Sequence, residues 1–550
     1  MNLRPDSLEN DEMKMQLPNF VVDDDKLTGN IDDIIDSATG KFKSRSRMVL
    51  VIVIATCAMS SSAVGCLASY MMKFTAFYPT QKFRCVSNKC EELKTESLDS
   101  LEFYSRDYAC SNMDYPADYT WDLDRTSFAL EFGYLCKEYQ LVLLDVFYFV
   151  GGTVGLLFGS FVFELVGRRK ASLIGGCVCA FGTFLGFFCN SYGFMVAVRL
   201  LQGMGNFLSY SGAYIWILEV VPSKLRIYYN TWTMLLWTAG YPVLVGVCYF
   251  IHEWRYIHLA LGSIFVLCYI PLLLLPDSPR YLLSIGKEEE CRLALEKLYQ
   301  LAGNPRSLDN VTIVGGNDEN KTKEEEQSKN RLAAFWDNKW MLFETCVLSF
   351  LWITCSLLYF GLNFGWGKFG DTPYANYLFA GLGELIAYTG LMPLISVMGR
   401  RAGMSFLLAS TCICFLAGII PWQWTAIWGL ERVMSLVAVV AISAAFGHIY
   451  MYTGELAPTS HRGLILCICS IIARLGAFIG PFVSHFSGHN SVKLGLNALL
   501  AGVAAALTLL LPETRGAGIP EGPTAILARR EEQGLNRLPC TSEGSVAVDA

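Results

Sequence analysis

The chain has 550 residues, of which 53% are hydrophobic and 17% are charged, and its formal net charge is −6. A soluble protein carries about a quarter charged residues, so this composition excludes an ordinary soluble domain and indicates a membrane protein. We find no basic stretch with interleaved aromatic residues, which argues against a nucleic-acid partner.

The chain begins with a polar, acidic tail, residues 1–47, which lacks the features of a cleavable signal peptide. A transmembrane helix needs roughly 20 apolar residues, and that template predicts an all-α membrane protein with twelve transmembrane helices. We number these spans in chain order: 48–70, 140–163, 171–190, 194–217, 229–250, 257–275, 341–362, 375–397, 403–420, 425–452, 463–485 and 494–511.

The loop between spans one and two, residues 71–138, holds four clustered cysteines: Cys85, Cys90, Cys110 and Cys136. Four cysteines in an outward-facing loop predict two disulfides, with three connectivities left open. We therefore expect this loop to face an oxidising space, as at a plasma membrane.

Lysine and arginine near the span ends predict the orientation. Basic runs at 41–47, 167–170 and 399–401 all fall on one side when the spans alternate strictly, and that side is cytoplasmic by the positive-inside rule. Both termini, the charged loop 276–340 and the tail 512–550 are then predicted to be cytoplasmic.

The sequence repeats itself. Gly-Arg-Arg at 167 recurs at 399, "EVVPSKLR" (219–226) recurs as "ELAPTSHR" (455–462), and "LPDSPR" from 275 recurs as "LPETR" from 511, at offsets of 232 to 236. Landmarks in one order at nearly constant spacing indicate an internal duplication. We predict two pseudo-symmetric six-helix bundles, 48–275 and 341–511.

Glu219 and Glu455 each end a span at its C-terminal end, where the helix dipole disfavours an anion. We expect arginines of the repeated motifs to form ion pairs with them between helices and to act as a latch between two states. The alternative is a static salt bridge that fixes topology. The candidate gating residues are Arg168, Arg169, Glu219, Arg226, Arg400, Arg401, Glu455 and Arg462.

Together with "FGYLCKEYQ", "RLLQGMG", "PDSPRYLL" and "LLPETRG", these motifs resemble the major facilitator superfamily. Within it they are most similar to the organic cation, organic anion and carnitine transporters of solute carrier family 22, over roughly 40–520. The resemblance implies transport by rocker-switch alternating access. Glu164 and Leu165 depart from it, because the family usually has Asp and Arg there.

Two charges lie near the middle of predicted spans: Glu384 in span eight and Arg474 in span eleven. Each costs about 2.5–3.5 kcal/mol on insertion scales, so neither should face lipid. They could line a watery cavity, or they could neutralise each other as a buried structural pair.

The resemblance implies that Glu384, Tyr388 and Arg474 form a pattern most similar to the carnitine and zwitterion group. Arg can bind a carboxylate in a bidentate pair, and aromatic faces with one Glu suit a quaternary ammonium. The alternative for the aromatic residues is core packing. The candidate substrate-binding residues are Arg474, Glu384, Tyr388, Trp352, Tyr359, Phe446, Tyr450, Ser470, Tyr210 and Trp237.

No metal-ligand spacing and no phosphate-binding loop is found, so we expect no enzyme, no metal, no nucleotide and no resident cofactor. A co-transported sodium ion or proton stays open. We expect a monomer in the lipid bilayer that moves small organic ions, with carnitine-like zwitterions or carboxylates favoured. The alternatives are an organic anion exchanger, an organic cation transporter, or a non-transporting receptor on a transporter scaffold.

Overall fold

The structure is a computed structural model. It describes residues 83–85, 119–121, 126–134, 137–221, 226–301, 335–362, 373–391, 397–419, 430–458, 462–485, 490–515 and 523–533. Span one and the N-terminal tail lie outside these residues, and so does most of the cysteine loop. Only the backbone of Cys85 is described among the four loop cysteines, so their pairing stays a prediction.

In the described part, helices occupy the positions predicted for spans two to twelve. They are Glu138–Val166, Arg168–Leu185, Tyr192–Val220, Arg226–Thr238 with Gly240–Phe250, Trp254–Tyr269, Lys339–Gly361, Pro373–Ile386, Arg400–Ile419, Leu430–Leu456, Arg462–His485 and Asn490–Thr508. Eight of the described helices are long and apolar enough to cross a membrane. Span five is interrupted at Ala239, and span eight continues into a π-helical turn, Ala387–Leu391.

Several short elements lie outside the spans, and the search for apolar segments could not predict them. Two strands, β1 (Phe83–Cys85) and β2 (Tyr119–Trp121), pair antiparallel within the outer loop. The helical ones are Phe128–Glu131, Pro279–Ser284, Glu288–Leu301 and Pro523–Glu532, whereas the short 3₁₀ helices Gly186–Phe188 and Ile270–Leu274 lie within spans three and six.

The two halves pack in the same way. Span three lies against spans four and six, and span nine lies against spans ten and twelve. Small residues allow the closest approaches, as is usual between membrane helices. A Cβ at Gly203 would overlap the carbonyl oxygen of Tyr148, and one at Gly476 would overlap that of Ile353.

The repeated Gly-Arg-Arg motif is explained by the backbone. Gly167 has a φ of 89° and Gly399 a φ of 106°, in the region that a side chain disfavours. Each glycine joins the end of one span to the start of the next, and the two arginines begin the new helix. The glycine therefore sets the sharp turn that brings both arginines to the inner ends of the helices.

The loop predicted at 276–340 starts with a helical hairpin. Helices Pro279–Ser284 and Glu288–Leu301 pack against each other around Tyr281, Leu295 and Tyr299, which are buried. Burial also raises the pKa of the Cys291 thiol in this core to about 11. The charged run at 317–330 lies outside the described residues.

A helix in the C-terminal tail, Pro523–Glu532, docks back onto the second half. Arg530 Nη1 lies 2.9 Å from Glu344 Oε1 of span seven, with side-chain exposures of 3% and 4%. The guanidinium also lies 4.2 Å from the Trp340 ring centroid. The tail is thus held by a buried ion pair, a contact that sequence reasoning did not predict.

Breaking this buried pair should destabilise the second half. Glu344→Gln or Arg530→Met should each lower the free energy of unfolding by about 3–5 kcal/mol, because one buried charge then has no partner. The double variant Glu344→Leu/Arg530→Met should recover most of that loss. Thermal unfolding of the purified protein in detergent measures both effects.

The exposed pair Arg292–Glu289 is the matched control. Glu289→Gln should change the free energy of unfolding by less than about 1 kcal/mol, as is usual for surface ion pairs. Equal effects of Glu344→Gln and Glu289→Gln would contradict the assigned role of the buried pair.

Candidate functional site

A cavity lies between the two halves, near the middle of the spans, with about 640 Å³ of space not occupied by atoms, including space open to solvent. Spans two, four and five line one side, and spans seven, eight, ten and eleven line the other. The lining residues are Tyr148, Asn206, Phe207, Tyr210, Met234, Trp237, Tyr359, Phe360, Tyr388, Phe446, Tyr450 and Arg474.

Arg474 carries the one formal charge among these lining residues. Its guanidinium carbon lies 4.3 Å from the ring centroid of Phe207, which belongs to the opposite half. Among the described residues no carboxylate pairs with it, and its Nε has no hydrogen-bond partner. A positive charge therefore faces the cavity with donors available for an anionic group.

The rest of the wall is largely aromatic. The Tyr359 and Phe446 rings stack at 5.4 Å between centroids, and Phe446 meets Tyr450 edge-on at 5.8 Å. On the other side, Tyr210 meets Trp237 edge-on at 6.1 Å. Such faces can attract an organic cation at about 0.5–2 kcal/mol per contact.

Glu384 occupies a different place from the one expected for a substrate contact. Its side chain is fully buried behind the cavity wall, and it is absent from the lining. Its Oε1 accepts hydrogen bonds from the Tyr241 hydroxyl at 2.7 Å and from the Tyr359 hydroxyl. Glu384 and Arg474 do not pair with each other, so the alternative of mutual neutralisation does not describe this structure.

Two other predicted residues also stay off the lining. Trp352 is buried, and its indole Nε1 donates to Thr453 Oγ1 at 3.0 Å while its ring lies 4.3 Å from that of Tyr450. It thus supports the wall from behind. Ser470, one turn before Arg474, does not belong to the lining either.

Sequence reasoning missed five lining residues: Tyr148, Asn206, Phe207, Met234 and Phe360. Asn206 is buried and donates to the Tyr148 hydroxyl. A spacing signal was present for three of them, because Asn206 and Phe207 lie four and three residues before Tyr210, and Met234 lies three residues before Trp237. Tyr148 and Phe360 have no such spacing to a predicted residue.

The halves meet on the side of the cavity away from the Gly-Arg-Arg turns. Phe149 of span two contacts Phe360 at 4.8 Å between ring centroids, and it contacts Phe478 of span eleven at 6.4 Å. The Tyr374 hydroxyl of span eight donates to the carbonyl of Cys248 in span five at 3.3 Å. These contacts cover the end of the cavity where span two begins.

Ion pairs join helix ends at the Gly-Arg-Arg side of the first half. Arg168 Nε lies 3.0 Å from Glu219 Oε1, and Arg169 Nε lies 2.8 Å from Asp277 Oδ1. The Arg168 guanidinium also lies over the Tyr281 ring at 4.7 Å. The first-half cluster therefore connects spans three, four and six with the hairpin that follows.

The second half holds a related cluster. Arg400 Nε and Nη2 lie 3.0 and 3.1 Å from the Glu455 carboxylate oxygens, and Thr514 Oγ1 donates to Glu455 at 2.7 Å. Glu513 accepts the backbone N–H groups of Arg400 and Arg401 at 2.7 and 3.0 Å. These pairs link helices of one half, so a gating role would act by orienting helices within each half.

Other candidates of the predicted latch cannot be placed. The side chains of Arg226 and Arg462 lie outside the described residues, although each begins a helix. Arg401 contributes its backbone N–H group to Glu513 and makes no ion pair within the described part of the chain. The side chain of Glu164 is also not described, whereas Leu165 is 79% exposed.

Comparison with known proteins decides the family. The sequence profile described as "Sugar (and other) transporter" matches residues 45–366, more than half of the chain. The chain belongs to this transporter family. The relatives with which it aligns are transporters rather than enzymes, and they include members of solute carrier family 22, as the motifs indicated.

Two human relatives illustrate the likeness of this family member. Organic cation/carnitine transporter 2 is 26% identical over 412 residues, which cover 74% of this chain and 72% of the relative. Solute carrier family 22 member 2 is 27% identical over 418 residues, which cover 73% and 72%. The chain is thus a multi-pass membrane transporter of the major facilitator type, similar to solute carrier family 22.

Solved structures bear out the fold of this family member. The proton:xylose symporter XylE bound to 6-bromo-6-deoxy-D-glucose aligns with a TM-score of 0.54 at 17% identity, covering 86% of this chain and 98% of that one. An inward open conformation of the same transporter from E. coli aligns equally well. The predicted fold of twelve helices in two bundles is confirmed.

The Glu513 carboxyl should make the stability of the folded protein depend on pH in the acidic range. Burial acts to raise the pKa of its carboxyl, but backbone N–H groups of Arg400, Arg515, Arg401 and Thr514 together hold the pKa below the usual value. A lowered pKa in the folded state means that this stabilisation is present above the unfolded value of about 4.3 and is lost as the pH falls through the folded value.

We therefore expect the melting temperature of the wild type to fall more steeply below about pH 4.3 than that of Glu513→Gln. Thermal unfolding in detergent across this pH range measures the difference. Glu531→Gln, an exposed carboxylate of the C-terminal helix, is the control and should follow the wild type. Identical pH profiles for Glu513→Gln and the wild type would contradict the stabilisation that we assign to ionised Glu513.

Proposed function

We propose that the protein carries small organic ions with a carboxylate, preferably zwitterions, across the plasma membrane by alternating access, with both termini in the cytoplasm. The observation that supports this is Arg474, a positive charge on the wall of an aromatic cavity that no carboxylate of the described residues neutralises. Charges attract more strongly where little water screens them. A ligand carboxylate can take the guanidinium in a bidentate pair.

The zwitterion preference rests on the rest of the wall. The tyrosine, phenylalanine and tryptophan faces opposite and beside Arg474 suit an alkylated ammonium group. Human organic cation/carnitine transporter 2, named for such a compound, is among the relatives. Because Glu384 is buried behind Tyr359, the ammonium group would meet aromatic rings rather than this carboxylate.

A second candidate is an organic anion exchanger, and one observation favours it. The lining contributes one formal charge, which is positive, so a carboxylate without an ammonium group also fits. A cation without a carboxylate fits less well, because it would approach the unpaired guanidinium.

Uptake into proteoliposomes tests the proposal. Saturable flux is measured for four labelled probes: carnitine, ergothioneine, urate and tetraethylammonium. The pattern of uptake distinguishes a zwitterion transporter from an organic anion exchanger and from a receptor. Uptake of carnitine or ergothioneine above urate supports the zwitterion proposal, whereas urate alone would favour the anion exchanger. A complete lack of saturable flux for all four would point to a receptor without transport.

Arg474→Gln should reduce uptake of the carboxylate-bearing probe by about 10- to 150-fold, because hydrogen bonds to a charged group contribute about 1.5–3 kcal/mol. Uptake of tetraethylammonium, where detectable, should not fall. Arg474→Lys should lie between Arg474→Gln and the wild type, since it keeps the charge but loses the bidentate geometry.

The control for Arg474 is Lys493→Gln, which removes one positive charge near the start of span twelve, outside the lining. Its uptake should match the wild type at equal protein content of the proteoliposomes. Carnitine uptake that survives Arg474→Gln unchanged would rule out the guanidinium as the carboxylate site.

The ion-pair cluster of the second half supports a prediction about conformational exchange. Glu455→Gln weakens its bonds with Arg400 across spans nine and ten, and a change of 1–2 kcal/mol shifts a two-state ratio about 5- to 30-fold. We expect a matching change in the labelling of a Met234→Cys cavity cysteine by an impermeant maleimide added from one face. Arg401→Gln is the matched control.

Labelling that is the same in Glu455→Gln and in its parent would remove the pair from any gating role. The same protein without Met234→Cys gives the background from native cysteines.

A further inference from the structure

Glu384 is a carboxyl group shared by the two halves of the transporter. Glu384 and Tyr359 belong to spans eight and seven of the second half, whereas Tyr241 belongs to span five of the first half. The Tyr241 hydroxyl donates to Glu384 Oε1 at 2.7 Å, and the Tyr359 hydroxyl donates to the same oxygen. The group therefore lies where relative motion of the halves would break one of its hydrogen bonds.

Among the residues that the structure describes, none of those surrounding Glu384 carries a positive charge. Its side chain is 0% exposed, and its second oxygen, Oε2, has no hydrogen-bond partner in the part of the chain that the structure describes. Leaving an ionised carboxylate buried without a cation is far more costly than leaving a neutral carboxyl there. The geometry thus suits the protonated form.

The ionisable groups that face Glu384 are tyrosines. Span five presents Tyr241, span seven presents Tyr359, and span eight itself presents Tyr388 one turn later. Span ten presents Leu436, Val439 and Val440 beside the neighbouring Gly383, and Arg474 of span eleven lies instead over Phe207. No Lys, Arg or His of the described residues contacts the carboxyl group.

A metal cation fits this cluster less well than a proton. Hard cations take about six or more oxygen ligands, whereas Glu384 is hydrogen-bonded to two hydroxyl oxygens. Both hydroxyls also direct their protons toward Oε1, so their donor function is already used.

We propose that Glu384 is a proton-binding site that couples proton movement to the exchange between the two transporter states. The carboxyl holds a proton while Tyr241 and Tyr359 enclose it. When the first half moves away with Tyr241, the carboxyl meets water on the newly opened outer face, binds a proton from it and carries that proton inward as Tyr241 returns. The chemistry is one proton bound from water on one side and released to water on the other.

This proposal rests on the proposed transport function, but one test is independent of any substrate. Infrared spectroscopy of the purified protein detects the carbonyl stretch of a protonated carboxylic acid. We expect such a band at neutral pH in the wild type and its loss in Glu384→Gln, which preserves shape and neutrality. Tyr241→Phe should keep the band and shift its frequency, because one hydrogen bond is lost.

The second test is transport. In proteoliposomes, an acid-outside gradient should raise the initial uptake of labelled carnitine several-fold in the wild type, and the ratio with and without the gradient should fall to near one in Glu384→Gln. Glu531→Gln, on the exposed face of the C-terminal helix, should keep the wild-type ratio. A sodium gradient at clamped pH should have no effect.

Two results would overturn the proton site: a protonated-acid band that is absent at neutral pH or unchanged in Glu384→Gln, or a sodium stimulation that disappears in this variant. Gradient stimulation that Glu384→Gln retains would also overturn the coupling. If the infrared band behaves as expected but none of the four probes shows saturable flux, the proton site stands and the proposed function fails.

Discussion

The free energy of an ionised side chain inside a membrane protein depends on what replaces its water. This constraint applies at the centre of the molecule, where the ionisable groups of Arg474 and Glu384 lie in two different environments. The guanidinium lies on an aromatic ring at the edge of an open cavity, where water or a ligand can reach it. The carboxyl group is enclosed by two tyrosine hydroxyls and closed off from that cavity. The first arrangement suits recognition of an anion, and the second suits a group that can become neutral.

The same constraint shapes the inner ends of the helices, where the sequence repeats itself. Both halves place a glycine with positive φ before a pair of arginines and then hold a helix-ending glutamate with the first of them. The halves differ in the third element. Asp277 pairs with the Arg169 side chain, whereas its counterpart Glu513 accepts backbone N–H groups of Arg400 and Arg401. The repeated motif therefore forms a side-chain pair in one half and a helix cap in the other.

Much of the fold could be predicted from the sequence, because the signals for its helices are long and its motifs are repeated. A span of about 20 apolar residues is a long signal, and the duplicated motifs are rigid landmarks, so spans two to twelve and the two halves were predictable. The resemblance to solute carrier family 22 also implied that Tyr388, Tyr450 and Arg474 contact the substrate, and all three line the cavity. Helical spacing could not place Glu384 behind Tyr359, because the partner Tyr241 lies 143 residues away in the other half. The β1–β2 pair and the docking of Arg530 on Glu344 likewise depend on distant contacts, which leave no periodic trace in the chain.

The docked C-terminal helix has a practical consequence. Arg530 neutralises Glu344 inside the protein, and Gln533 forms hydrogen bonds with Glu513 through both its amide oxygen and its amide nitrogen. A premature stop before residue 523 would remove all of these contacts. Glu344 of span seven would then be buried without its cation, and Glu513, which caps the helix of span nine, would lose its hydrogen bonds with Gln533. Affinity tags and fluorescent fusions should therefore be attached beyond Gln533, so that the contacts of Arg530 and Gln533 stay in place.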